Sequence, residues 1–173
     1  MLSDFNIDKF KNIKPPSDFS FDTRQEIKSL QNMSLNKSFV NKYDDGKKVF
    51  SNIVGKDPLI NKLINESGPI IGKLKKHFNR PRPASLASKL NLQLDEIKLK
   101  SMDSPAYPSG HATQATLLSL ALSDKYPNKA SQLKTAANNT IKSRHLAHTH
   151  YKSDSDIGKK LGTAMYEHIK DKI

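Results

Sequence analysis

Pro108-Ser109-Gly110-His111-Ala112-Thr113-Gln114-Ala115-Thr116-Leu117-Leu118-Ser119-Leu120-Ala121-Leu122 is the most apolar stretch of the chain. Ser109 carries a short side-chain oxygen suited to an orphan amide of a first helical turn. Pro127 forbids continuation, so the stretch predicts a helix that begins after Ser109 and ends before Pro127. Leu117, Leu118, Leu120, Ala121 and Leu122 are too crowded to occupy one stripe, which places the helix in the interior.

A buried helix needs cover, and helical signals extend from it in both directions. Downstream, helices are expected at about 128–147 and 155–168. Upstream, Ile70, Ile71, Leu74 and Phe78 keep helical spacing to Asn79, where Pro81 and Pro83 stop it. That helix is read as restarting at Ser67-Gly68-Pro69, after one that begins at Asp57-Pro58 and shows Leu59, Ile60, Leu63 and Ile64 on one face. A helix over 35–43 stops at the turn cluster Asp44-Asp45-Gly46. Thr23 followed by Glu26 reads as a capping box ahead of Ile27 and Leu30. Residues 84–107 form a long connection, with a short helical possibility at 85–90 and an alternating 96–100 too isolated to build a sheet. The expectation is an all-α, compact single-domain helical bundle over 22–173, preceded by an irregular arm at 1–21 that contains Pro15-Pro16.

Composition narrows the chemistry. The chain has 173 residues and no cysteine, which excludes disulfides and thiolate metal sites. The N-terminal stretch alternates charge with isolated apolar residues, unlike a signal peptide, and no window reaches the roughly 18 apolar residues of a membrane span. A soluble, cytoplasmic protein is expected. The 29 Lys+Arg against 17 Asp+Glu leave +12, which favours anionic partners or simply coats the surface. Phosphorylated small molecules, nucleic acids and anionic membranes all fit that charge. The aromatic residues do not interleave with the basic runs, which weighs against a nucleic-acid-binding module. Peripheral contact with an anionic membrane stays open, although no helix shows a large basic-and-apolar moment.

Three clusters combine cations, histidines and helix ends. Lys75-Lys76-His77-Phe78-Asn79-Arg80-Pro81-Arg82-Pro83 presents guanidinium groups from a proline-stiffened segment, or is an ordinary basic loop. Pro108-Ser109-Gly110-His111 offers free amides, a hydroxyl and an imidazole at a helix start, or is a plain serine cap. In Ser143-Arg144-His145-Leu146-Ala147-His148-Thr149-His150-Tyr151-Lys152-Ser153-Asp154, the three histidines lack the carboxylates or further histidines of a metal site. Asp154 instead suits a carboxylate that keeps one nitrogen of His150 protonated and aims the other as a nucleophile.

Together these clusters resemble the three-part signature of the type 2 phosphatidic acid phosphatase and vanadium haloperoxidase superfamily: Lys-x6-Arg-Pro, Pro-Ser-Gly-His and Ser-Arg-x5-His-x3-Asp. Lys75 with Arg82-Pro83 supplies the first part; Lys73 with Arg80-Pro81 has the same spacing, and the later register is preferred because the family resembles Arg-x-Arg-Pro. Residues 108–111 supply the second part, and Ser143, Arg144, His150 and Asp154 the third. The third part alone would arise by chance in roughly one such chain in a thousand. The match covers residues 75–154.

The resemblance implies a metal-independent phosphatase that cleaves phosphomonoesters or pyrophosphates through a phosphohistidine, with no cofactor and a site that phosphate or vanadate can occupy. In it, His150 looks like the nucleophile, Asp154 its orienting carboxylate and His111 the general acid. Lys75, Arg82, Ser109, Gly110 and Arg144 look like the donors around the phosphoryl oxygens. The same fold also serves vanadium-dependent haloperoxidases, ranked second because the chain is short and the Tyr151-x-Ser153-Asp154 continuation resembles phosphatase members. Two departures stand out: His148 where many relatives have glycine, and Lys152 where proline is frequent.

Overall fold

A computed structural model describes all 173 residues and contains helices and turns with no strand. Nine α-helices follow one another: α1 (Asp8–Lys11), α2 (Phe21–Gln31), α3 (Lys37–Tyr43), α4 (Gly46–Val54), α5 (Pro58–Phe78), α6 (Pro83–Lys89), α7 (Gly110–Lys125), α8 (Ala130–Leu146) and α9 (Lys152–Ile169). Short 3-10 turns occupy Lys100–Asp103, Pro127–Lys129 and Lys170–Lys172.

The buried helix read from 108–122 is α7, capped by the Ser109 hydroxyl, which accepts the Ala112 amide at 3.2 Å. It packs most extensively on α8 and α9, with α5 across another face. Leu63, Ile71, Leu74, Leu117, Leu118, Leu122, Leu161 and Met165 meet in the main core. Each fully buried leucine contributes about 1.5–3 kcal/mol by leaving water. A smaller core of Ile27, Leu86, Ala87, Leu90, Ala106 and Tyr151 fastens α2 and α6 against the start of α9. No helix is long and apolar enough to cross a membrane.

Several local expectations change. The helix near Thr23 starts three residues earlier: Ser20 is the cap and accepts the Thr23 amide at 3.2 Å, while Glu26 turns away to other partners. Asp44-Asp45-Gly46 is more than the expected stop, because Asp45 also starts α4 by accepting the Lys48 amide at 3.1 Å. Pro69 does not restart the chain. Ile60, Leu63, Ser67, Ile71 and Leu74 form one buried stripe, so packing carries α5 through the proline. There the Ile64 carbonyl receives the Ser67 hydroxyl and the Gln114 amide. The last helix begins at Lys152, bringing Asp154 into its first turn. The N-terminal arm contains α1 and sends Leu2 and Phe10 into the main core.

Candidate active site

Four chain segments deliver the motif residues to one place. Lys75 sits in the last turn of α5, which ends at Asn79 in the left-handed conformation (φ 48°), so that Arg80 and Arg82 leave on an extended, proline-flanked segment. Ser109, Gly110 and His111 form the N-terminus of α7, Arg144 lies in the last turn of α8, and His150 and Asp154 straddle the start of α9. The Ser109 amide donates to the Asp154 carbonyl at 3.0 Å, locking two helix starts together. Glycines on α9 permit this approach. A Cβ on Gly158 would lie 2.9 Å from the Ser109 carbonyl oxygen, and one on Gly162 would strike the Thr113 carbonyl. At Gly110 the α5 side chains Ile71 and Lys75 close the near side.

His150 is 3% exposed, and its tautomer follows from its partners. Asp154 Oδ2 lies 2.9 Å from Nδ1 and also accepts the Tyr151 amide at 3.0 Å. Arg82 Nη1 lies 3.0 Å from Nε2. Guanidinium has only donors, so Nε2 presents its lone pair and the proton resides on Nδ1, facing the carboxylate. Burial, then the Arg82 charge, holds this imidazole well below its ordinary range, and Lys75, His111 and Arg144 add to the effect. Asp154 is pushed upward by burial, opposed chiefly by Arg80.

Arg82 also donates to the Ser104, Thr149 and Ser101 carbonyls, each at 2.9 Å, which leaves one Nη2 hydrogen over. Arg144 differs. Its Nε donates to Ser143 Oγ at 3.0 Å and Nη1 pairs with Asp44 at 2.9 Å, whereas Nη2 is buried without a partner. Asp44 also accepts His111 Nε2 on its carbonyl at 2.8 Å, so Nε2 carries hydrogen and Nδ1 is the position that gains or loses a proton. Burial, followed by the Arg144 charge, lowers the His111 pKa to about 4. Burial beside Arg82 lowers the Lys75 ammonium to about 7, and its Nζ donates to the Pro105 carbonyl. A cavity of about 230 Å³ opens next to His111, lined among others by Asp44, Lys47 and Gln114. Larger clefts of about 630 and 800 Å³ contain none of the motif residues.

All eight motif residues therefore converge, and the two registers of the first motif separate. Lys73 is exposed and Lys75 buried; Arg82 faces His150, and Arg80 lies behind Asp154. Arg80 donates to Asp154 Oδ1 and Ser153 Oγ, both at 2.7 Å, pairs with Glu26 at 3.1 Å and stacks 3.7 Å from the Tyr151 ring centre. Asp44, Glu26 and the rearward role of Arg80 escaped the motif reading. Glu26 had a local signal, but it pointed to a capping box. Asp44 had none beyond a turn.

The other histidines diverge from the site. His145 Nε2 meets Ser155 Oγ at 3.0 Å, and His148 meets the Asp95 and Met33 carbonyls at 2.7 and 2.8 Å. His148 has φ 56°, a conformation glycine adopts most easily, and its ring ties down two neighbouring loops from there. Lys152 is the first residue of α9, a position equally suited to proline. Nowhere do three His, Asp or Glu side chains gather as a metal-ligand set.

The non-specific acid phosphatase of Salmonella typhimurium strain LT2 is 33% identical over 96 residues, 55% of this chain and 38% of that protein. Its counterpart in Salmonella typhi is 30% identical over 95 residues, again 55% and 38%. This chain matches well under half the length of either relative. A family model described as the PAP2 superfamily matches residues 60–168, a span that includes every motif residue and most of the helical core, and the chain belongs to that superfamily.

Proposed function

We propose that this protein is a phosphatase that hydrolyses phosphomonoesters or pyrophosphates through a phosphohistidine on His150, without a resident metal or cofactor. One observation carries the reading: a buried imidazole with Asp154 behind it and its Nε2 lone pair turned toward arginine, beside the partnerless Nη2 of Arg144. An arginine nitrogen buried without an acceptor is costly, and a phosphoryl oxygen supplies that acceptor.

In this mechanism Lys75, Arg82, Arg144, the Ser109 hydroxyl and the Gly110 amide surround the phosphoryl oxygens, neutralising charge that spreads over them in the transition state. His150 Nε2 attacks phosphorus as the bond to the leaving oxygen breaks. That oxygen takes the proton from His111 Nδ1, and the developing imidazolium of His150 is stabilised by Asp154. Water then gives a proton back to His111 and attacks the phosphohistidine, returning His150 to its starting tautomer. Substrate charge beside His111 raises its affinity for the proton, which compensates for the low value of the free site. The 230 Å³ cavity next to His111 suits a small leaving group. The Salmonella acid phosphatases support the same reaction class.

The test is hydrolysis of p-nitrophenyl phosphate with chelator present and orthovanadate as competitor. Turnover that ignores chelator and falls with vanadate supports the reading. Turnover that requires an added divalent metal, or bromide oxidation by peroxide after vanadate loading, would sink it.

A further inference from the structure

We propose that Glu26, on a helix outside the stretch that the family model matches, is a positioning residue for His150: acting through Arg80, it sets how strongly Asp154 holds the imidazole. The inference rests on the reading of His150 as nucleophile. Glu26 Oε1 accepts the Ser153 amide at 2.6 Å, and Oε2 accepts the Ser153 hydroxyl at 2.8 Å and Arg80 at 3.1 Å. Arg80, its side chain 1% exposed, bridges from there to Asp154, whose side chain is fully buried. The order is therefore Glu26, Arg80, Asp154, His150, with each link at hydrogen-bond distance. Stacking on Tyr151 fixes the guanidinium plane, so Arg80 cannot swing away to another partner.

Charge balance explains why a second carboxylate matters. His150 faces Lys75 from α5, Arg82 from the extended segment, Arg144 from α8 and His111 from α7, against Asp154 as its close counter-charge. A guanidinium 2.7 Å from Oδ1 withdraws electron density from the same carboxylate that must accept from His150 Nδ1. Glu26 shares that guanidinium and so leaves Asp154 a stronger acceptor. Around Glu26 and Arg80 lie Asp18, Tyr107 and Tyr151; the phenols of Tyr107 and Tyr151 are held neutral by burial, at about 12 and well above the usual range respectively. Removing the Glu26 charge leaves Arg80 with Asp154 alone. His150 then becomes harder to protonate and a poorer nucleophile.

The deciding measurement is the pH titration of the His150 imidazole nitrogens by NMR in the full-length protein and in Glu26→Gln, with circular dichroism as the control for fold. The expected result is that His150 is protonated about tenfold less readily in Glu26→Gln, with helical content unchanged. A wild-type titration in folded Glu26→Gln overturns the proposal. Should that variant not fold, Glu26→Asp replaces it, since the shorter carboxylate keeps its charge but cannot span both Arg80 and Ser153. A smaller shift in the same direction supports the inference, a wild-type titration overturns it, and loss of fold in both variants assigns Glu26 to stability alone and also overturns it. Where p-nitrophenyl phosphate is turned over, Glu26→Gln is expected to lower kcat about tenfold with KM within about twofold; a changed KM at constant kcat contradicts the proposal. The titration reads His150 whether or not the protein hydrolyses phosphate, so a failure of the phosphatase reading is distinguishable from a failure of this one.

Discussion

The two sides of His150 are built on opposite plans. Behind it, Asp154, Arg80, Ser153 and Glu26 form a closed network in which both oxygens of each carboxylate are engaged and the guanidinium is stacked in place. In front, Arg144 keeps one nitrogen unpartnered, and its counter-ion Asp44 is 42% exposed. The rear leaves Arg80 Nε without a partner but clamps and stacks its guanidinium, and acts as a rigid support, whereas the front retains donors for an anion and a carboxylate that solvent can stabilise if displaced. The nucleophilic role proposed for His150 needs both: orientation from a side that does not move, and ligand binding from a side that is unfinished.

Substitutions on the two sides should separate these roles, and the largest effect belongs to the residue between them. His150→Ala is expected to reduce turnover by about 10⁴-fold while leaving the helical circular dichroism intact; retained activity would falsify its assignment as nucleophile. Next comes the front. Arg144→Ala is expected to cost about 10²–10³-fold in kcat/KM and to abolish measurable vanadate inhibition. An effect on melting temperature alone would instead make Arg144 a structural partner of Asp44.

The packing that joins the sides is probed by Gly162→Ala, which places a methyl group against the Thr113 carbonyl and Thr116. A loss of about 2 kcal/mol, or roughly 4–8 °C in Tm, is expected. An unchanged Tm would show that α7 and α9 have slack that the present geometry lacks.

pH sharpens the contrast further. His150 must be unprotonated to attack, and its depressed pKa keeps it so well into acid; His111 must carry a proton, and from about 4 in the free protein it loses that proton as pH rises. The profile of kcat/KM is therefore expected to peak on the acid side of neutrality. Vanadate affinity should weaken as pH rises past about 7, where Lys75 gives up its charge. An optimum in the alkaline range would reverse the acid and base assignments. The smallest effect is expected from Asp44→Asn, which removes a partly exposed charge beside Arg144 and should tighten vanadate binding only severalfold.

Much of this was legible before any coordinates. Ser109 announced α7, the leucines behind it announced burial, and the spacing of Ser143, Arg144, His150 and Asp154 located the chemistry, because capping and local spacing are encoded over a few residues. Readings that failed did so where a local signal had two meanings. Pro69 is a breaker in isolation, yet the stripe from Ile60 to Leu74 outweighs it once a core exists. The turn Asp44-Asp45-Gly46 ends one helix and starts the next. Glu26 has the spacing of a capping box but gains more from a buried guanidinium 54 residues away.

From the sequence alone came an all-helical chain, a central buried helix and eight residues of one superfamily signature, since each depends on periodicity, caps and spacing along the chain. Tertiary structure alone decided that Arg80 stands between Asp154 and Glu26, that Asp44 closes on Arg144 and His111, and that Glu26 stands behind Asp154. Those contacts join residues 54 to 127 positions apart, and burial at such a junction, which no local pattern records, sets the strength of the charges that meet there.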